Sequence, residues 1–314
     1  MNRFIRYWNQ NRRKIIIAIL IVAFVILIIR TINYILIQDT EEHITRVNTV
    51  VQDSSIPSES VLTGESLSTE VTNINMDLIE QFVNFCNNDE YQKAYDLLSN
   101  DCKTELFNTV DEFKTNYFDK IFNTEKAYEL ELWFSHSGNY TYRIIFYENN
   151  ILSTGQINAS ENIEDYITIT RENKERKINI SGFISKEIIN KSETTQPLEI
   201  TINEKLSYRS YERYSITLKN NTNKTIMISD GNNGNDICLL DNNQIEYDSV
   251  IAEVPFEDLQ IPPYSSKTIN IKFNKMYGEF RKIEQVLFKN IILDMESYQT
   301  NNENVTKTNL RVEI

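Results

Sequence analysis

The distribution of apolar and polar positions first singles out one long apolar run near the start of the chain. Residues 15–37 are apolar almost throughout, and Arg30 is the only charged residue among them. A helix of this length rises about 34 Å at 1.5 Å per residue, and a hydrocarbon core is about 30 Å thick. The run therefore predicts a single transmembrane helix. No small residues typical of a cleavage site follow it, which favours an uncleaved helix over a signal peptide.

The charges that flank this run predict its direction in the membrane. The topology determinants Arg12, Arg13 and Lys14 directly precede it, whereas acidic residues follow it. Lys and Arg beside a membrane span stay on the cytoplasmic side. We therefore expect a single-pass protein of the cell membrane, with residues 1–14 in the cytoplasm and the bulk of the chain extracytoplasmic.

Beyond the apolar run the pattern changes twice. Residues 38–73 are rich in Ser, Thr and Glu and show no sustained period, which predicts a flexible stalk. The next stretch has apolar residues at helical spacing, for example Ile79, Phe82 and Cys86. From Ala127 the period becomes two, which is typical of half-buried strands. Helices followed by an antiparallel sheet predict an α+β domain over residues 74–187.

The first two predicted strands form a hairpin. A three-residue turn at Ser137-Gly138-Asn139 would bring apolar residues into register. The expected pairs are Phe134 with Tyr142, Leu132 with Ile144, and Leu130 with Phe146. On the other face, Glu131 and Arg143 are expected to form a cross-strand ion pair. His136 lies in the turn region and is expected to be solvated.

The stretch FVNFCNNDEYQKAYDLLSNDCKTELFNTVDEFKTNYFDKIF, followed by YTYRIIFYENNILSTGQI, resembles a known fold family. It is similar to the nuclear transport factor 2-like domains of membrane-anchored extracytoplasmic proteins of Gram-positive bacteria. The resemblance implies a cone-shaped sheet wrapped on helices. Candidate residues lining the pocket of such a cone are Tyr117, Trp133, Tyr142 and Tyr147.

The last part of the chain is strand-like throughout. Residues 188–196 are polar and predict a linker that ends at Pro197. Residues 197–314 contain seven or eight short alternating segments separated by Asn, Gly and Asp, which predicts a β-sandwich. The passage IPPYSSKTINIKF resembles bacterial immunoglobulin-like domains. The expected fold class is thus α+β: one N-terminal transmembrane helix, a cone-shaped helix-plus-sheet domain, and an all-β sandwich.

Composition excludes several function classes. The net charge is −13, and the first 30 residues contribute +6, which leaves −19 for residues 31–314. So acidic a surface disfavours binding to nucleic acid. The two histidines and three cysteines have no metal-ligand spacing, so neither a metal nor another cofactor is expected. The motif DGNNGND at 230–236 lacks the ligand spacing of a calcium loop, and a tight turn is favoured.

No catalytic motif is present, so we expect that the protein is not an enzyme. The pattern of anchor, stalk and two modules favours a membrane-anchored extracytoplasmic scaffold for protein–protein interaction, with an envelope protein as its partner. A narrower form of this hypothesis is an accessory of a conjugation or type IV secretion-like machine. The alternative is an extracytoplasmic sensor that binds a ligand in the cone pocket.

Overall fold

A computed structural model describes residues 58–148, 162–195, 197–278, 282–300, 305 and 307–314. All of them belong to one compact unit, Ile56–Ile314. Strands account for 46% of the described residues and helices for 25%, so the fold is mostly β and the expected α+β class is wrong. None of the helices within the described ranges is both long and apolar enough to span a membrane. The segments 1–14 and 15–37 lie outside these ranges.

Helices come first among the described elements. α1 begins at Thr69, inside the segment expected to be a flexible stalk, and the Ser68 hydroxyl caps it by accepting a hydrogen bond from Val71 N. The Ser99 and Thr109 hydroxyls cap two later helices in the same way. The helical bounds are α1 (Thr69–Asn87), α2 (Tyr91–Asp96), α3 (Asn100–Leu106), α4 (Val110–Phe113), a π-helical stretch (Lys114–Phe118), α5 (Asp119–Ile121) and α6 (Met295–Gln299).

Three antiparallel sheets follow. The first has the order β1-β2-β3-β4, the second β12-β7-β6-β5, and the third β10-β9-β13-β8-β11 with β14 also paired to β13. The strand bounds are β1 (Lys126–His136), β2 (Asn139–Glu148), β3 (Ile163–Glu172), β4 (Glu175–Asn179), β5 (Phe183–Thr194), β6 (Leu198–Tyr208), β7 (Glu212–Asn220), β8 (Ile226–Met227), β9 (Ile237–Asp241), β10 (Glu246–Asp248), β11 (Gln260–Ile261), β12 (Ser266–Phe273), β13 (Ile283–Ile292) and β14 (Lys307–Glu313). The helices cover the first sheet, and the other two sheets enclose a second core.

The β1–β2 hairpin does not have the expected register. Leu132 pairs with Tyr142 and Leu130 with Ile144. The turn contains two residues, Ser137 and Gly138, both with positive φ, and β1 has a bulge between Leu132 and Phe134. The shorter turn and the bulge each move the pairing by one residue. Their combined shift of two residues leaves the side chains before the bulge on their expected faces, because side chains alternate with a period of two. Phe134, which lies beyond the bulge, pairs with Thr141 and belongs to a different apolar cluster from Leu132.

Strand β5 connects the two domains without a linker. Residues 188–196, expected to form that linker, lie in β5 as far as Thr194. Phe183 at its start is buried in the first core, while Ile189 packs against the second core. On the neighbouring strand β6, Tyr208 belongs to the first core and Ile200 to the second. The second sheet is therefore shared, with one face against the helical domain and the other inside the sandwich.

Candidate functional site

The predicted pocket residues do not line a common cavity. Tyr142 is fully buried, and its hydroxyl accepts a hydrogen bond of 3.0 Å from Asn75 Nδ2. Arg176 in turn donates a 2.8 Å hydrogen bond to Asn75 Oδ1. Helix α1 thus closes the interior of the first sheet over Tyr142. The cone that the sequence suggested is filled at this point by its own side chains.

Of the other three candidates, only Tyr117 shares a core with Tyr142. Tyr117 is buried in the same core and stacks on Phe113 with ring centroids 5.7 Å apart. Trp133 belongs to a separate small cluster, where its ring meets that of Tyr166 edge-on. Tyr147 is half-buried near the end of β2. The four side chains serve packing at three places rather than one binding site.

Asp165 is a half-buried carboxylate that sequence reasoning missed. Its Oδ2 atom accepts hydrogen bonds from Tyr117 Oη at 2.9 Å and from Ser181 N at 3.2 Å. Its Oδ1 atom accepts a 2.7 Å bond from Tyr166 N. Burial nevertheless raises the pKa of Asp165 to about 6, because removing a charged carboxylate from water outweighs these donors. The signal was an acidic residue in β3 with isoleucines two positions away on either side, a pattern that also occurs at solvated positions.

This raised pKa predicts a pH-dependent stability. The native state binds the Asp165 proton more tightly than the unfolded chain, so the associated stability is present below about pH 4 and is lost as pH rises to about 6. A difference of about two pKa units corresponds to roughly 3 kcal/mol. We expect the unfolding free energy of the wild type to fall by about that amount relative to Asp165→Asn across this window, in urea titrations. A difference that is constant with pH would contradict the assignment.

Chemistry elsewhere in the described residues is sparse. Cys86, Cys102 and Cys238 are free and buried, and burial raises the pKa of the Cys102 thiol to about 12. No cluster of His, Cys, Asp and Glu suited to a metal occurs within the described ranges.

In the 230–236 motif, Asn233 caps the short 3₁₀ helix Gly234–Asp236, as expected of a tight turn. His136 is exposed, and Arg143 lies 3.7 Å from Glu131 and 2.6 Å from Glu164, so the expected ion pair forms.

A cleft of about 840 Å³ lies between the β1–β2 hairpin and the second sheet. The tip of the β1–β2 hairpin forms one wall, and strands β5 and β6 form another. The segment Lys275–Gly278, the start of β13 and Ile314 complete it. Its volume falls within the range of ligand clefts, about 300–1,000 Å³. We call this feature the junction cleft.

The junction cleft is basic, although the chain is acidic. Five lysines and two glutamates line it: Lys186, Lys191, Lys205, Lys275, Lys282, Glu187 and Glu212. Lys205 pairs with Glu187 at 2.6 Å, and the buried Lys275 pairs with Glu212 at 2.9 Å. Lys191 and Lys282 are exposed and have no carboxylate partner among the residues that the structure describes. Within the described part of the chain, these two unpaired cations face solvent beside the cleft.

An ion network at the domain junction holds one wall of the cleft in place. Glu105 on α3 accepts hydrogen bonds from Lys186 on β5 at 3.1 Å and from Arg213 on β7 at 2.8 Å. Lys186 also contacts Glu204 at 3.0 Å. The Glu105 side chain is only 13% exposed, so this contact is less screened than a surface pair. The network fixes the helices against the shared sheet.

Aromatic residues close the other side of the junction. The Arg209 guanidinium lies 4.3 Å from the ring centroid of Tyr166 and 5.9 Å from that of Trp133. Tyr277 meets Phe134 edge-on, with centroids 5.1 Å apart. Tyr277 N also donates a 3.0 Å hydrogen bond to Arg209 O. The hairpin of the first domain and the 275–278 segment of the second are therefore in direct contact beside the cleft.

Comparisons with known proteins assign no family. No family model matches the sequence, and no curated protein is similar to it. Among solved structures, a conserved hypothetical protein from Bacillus anthracis is similar at 15% identity, over 39% of this chain and 95% of that chain, with a TM-score of 0.25. This level of similarity supports neither a fold family nor a function. The nuclear transport factor 2-like and immunoglobulin-like resemblances stay predictions, and Arg12, Arg13 and Lys14 lie outside the described residues.

Proposed function

We propose that this protein is a scaffold for protein–protein interaction. The observation that supports this function best is the rigid junction, where two domains share strands β5 and β6 around an open cleft. Because the two domains share a sheet, they cannot move independently of each other. A fixed spacing between two surfaces is useful for holding partners.

The alternative of a sensor with a cone pocket has less support. Tyr142, Phe82 and Phe113 are each fully buried and fill the space that a ligand would need. Phe107 and Tyr117 pack on Phe113 and close the same region further. An enzyme would need an acid and a base that converge on a cavity, and the filled core offers no place for a substrate there.

The extracytoplasmic location and the envelope partner are parts of the proposal that rest on the sequence. The acidic character of residues 31–314 supports a role away from nucleic acid. The narrower role, an accessory of a conjugation or type IV secretion-like machine, rests on fold analogy, which is a weak warrant for function. It is therefore kept as a prediction to be tested by the partner that the protein binds.

Photo-cross-linking of the full-length chain in its native cells tests the scaffold function. A photoreactive amino acid would replace, one at a time, Ile74, Ile188, Phe256, Tyr264 or Met276, which are exposed apolar side chains. We expect a discrete cross-linked protein from at least one position. Lys174, exposed in the turn between β3 and β4, is the matched control and should give none. Absence of a specific product at all five positions would contradict the proposal.

A further inference from the structure

We propose that the junction cleft binds an extended, acidic segment of a partner protein, which pairs with the free edge of β5. This inference rests on the proposed scaffold function and names the chemistry of the partner. Three observations lead to it: the free edge of a strand, the local excess of positive charge, and the apolar lining beside that charge.

The strand edge is the first observation. β5 is the outermost strand of the order β12-β7-β6-β5 and pairs only with β6 among the described residues. The consecutive residues Ser185–Ile189 all line the cleft together with Lys205 and Ser207 of β6, so the cleft includes the edge of β5 and part of the adjoining sheet. An exposed edge of this kind accepts an extended peptide as an added strand. A bulge between Ile188 and Lys191 ends the regular edge, so the added strand would be short.

Charge complementarity is the second observation. Lys191 and Lys282 lie beside the cleft without a carboxylate partner in the described part of the chain. The chain as a whole is acidic, with a net charge of −13. A positive patch on an acidic surface attracts acidic groups selectively, because the surrounding charge repels them elsewhere. A segment rich in Asp or Glu therefore fits this cleft better than a neutral or basic one.

The apolar lining of the cleft is the third observation, and it favours an acidic peptide over other polyanions as the occupant. Ile188 is 61% exposed at the cleft, and Ile189, Ile283 and Ile314 line it as well. Aliphatic side chains make few favourable contacts with a phosphate backbone, because proteins bind phosphates with cations and polar donors. They match the apolar side chains that alternate with carboxylates in an acidic strand. The cleft thus favours a polypeptide over a nucleic acid.

Fluorescence anisotropy with the purified full-length chain tests this inference. The probe is a fluorescein-labelled peptide of alternating glutamate and valine, measured at an ionic strength of about 0.15 M. We expect saturable binding, roughly tenfold weaker for the double variant Lys191→Glu with Lys282→Glu, since two favourable charge contacts become repulsive. Lys120→Glu, at an exposed lysine outside the cleft, is the matched control and should bind like the wild type.

Three further probes decide between occupants. A peptide in which lysine replaces each glutamate should not bind, and N-methylation of alternate backbone amides should abolish binding if the peptide adds as a strand. Equal binding of the lysine and glutamate peptides, or no effect of the double variant, would overturn the inference. So would tighter binding of single-stranded DNA, or self-association of the chain that the double variant removes. Phe256 and Tyr264 are exposed and lie outside the cleft. Photo-cross-linking at these two positions can therefore still support the scaffold function if peptide binding fails.

Discussion

Lys275→Met is expected to lower the free energy of unfolding by about 3–5 kcal/mol, because it leaves a buried carboxylate without its counter-ion. The side chains of Lys275 and Glu212 are 6% and 5% exposed, and their charged atoms lie 2.9 Å apart. Glu212 Oε2 also accepts a 2.8 Å hydrogen bond from Tyr214 Oη. This one hydroxyl donor cannot replace the hydration that the carboxylate loses on burial. Urea unfolding of the full-length chain would measure the loss.

A second variant separates loss of the ion pair from loss of packing. Glu212→Gln combined with Lys275→Met removes both charges and keeps an acceptor for Tyr214, so most of the lost stability should return. Lys219→Met breaks an exposed pair with Glu199 on the same sheet and should cost less than about 1 kcal/mol. If Lys275→Met cost no more than Lys219→Met, the buried pair would have no special role in stability.

The location of Lys275 illustrates what the sequence could not predict. The lysines that line the junction cleft come from β5, β6, the 275–278 segment and the residue before β13. Each of them alone reads as a solvated charge. They become a site only because the second sheet is shared, and sharing depends on long-range pairing that no local pattern encodes.

Local patterns predicted the first sheet better than its connection to the second. Leu132 and Tyr142 share the expected face even though the register differs by two residues, since burial specifies the face more strongly than the exact partner. The polar composition of residues 188–196 predicts a linker. An edge strand with both faces near solvent is polar for the same reason, so composition alone cannot distinguish the two cases.

Phe183→Ala tests whether this shared strand couples the two domains. Phe183 is fully buried at the start of β5, and its ring centroid lies 5.4 Å from that of Tyr208 on β6. Truncating a buried Phe to Ala usually costs about 3–5 kcal/mol, through lost burial and the cavity that remains. Ile188→Ala on the same strand is the control. Its side chain is 61% exposed, so we expect a change within about 0.5 kcal/mol.

The buried cysteines report on each domain separately. Cys86 lies in the first core, whereas Cys238 is buried in the third sheet, and burial raises the pKa of the Cys238 thiol to about 11. Each thiol should react with a labelling reagent only when its domain opens. In Phe183→Ala we expect both to react about 100-fold faster, because about 3 kcal/mol corresponds to that change in the open population. Faster labelling of Cys86 alone would mean that the domains open independently, and the rigid junction on which the scaffold function rests would then be wrong.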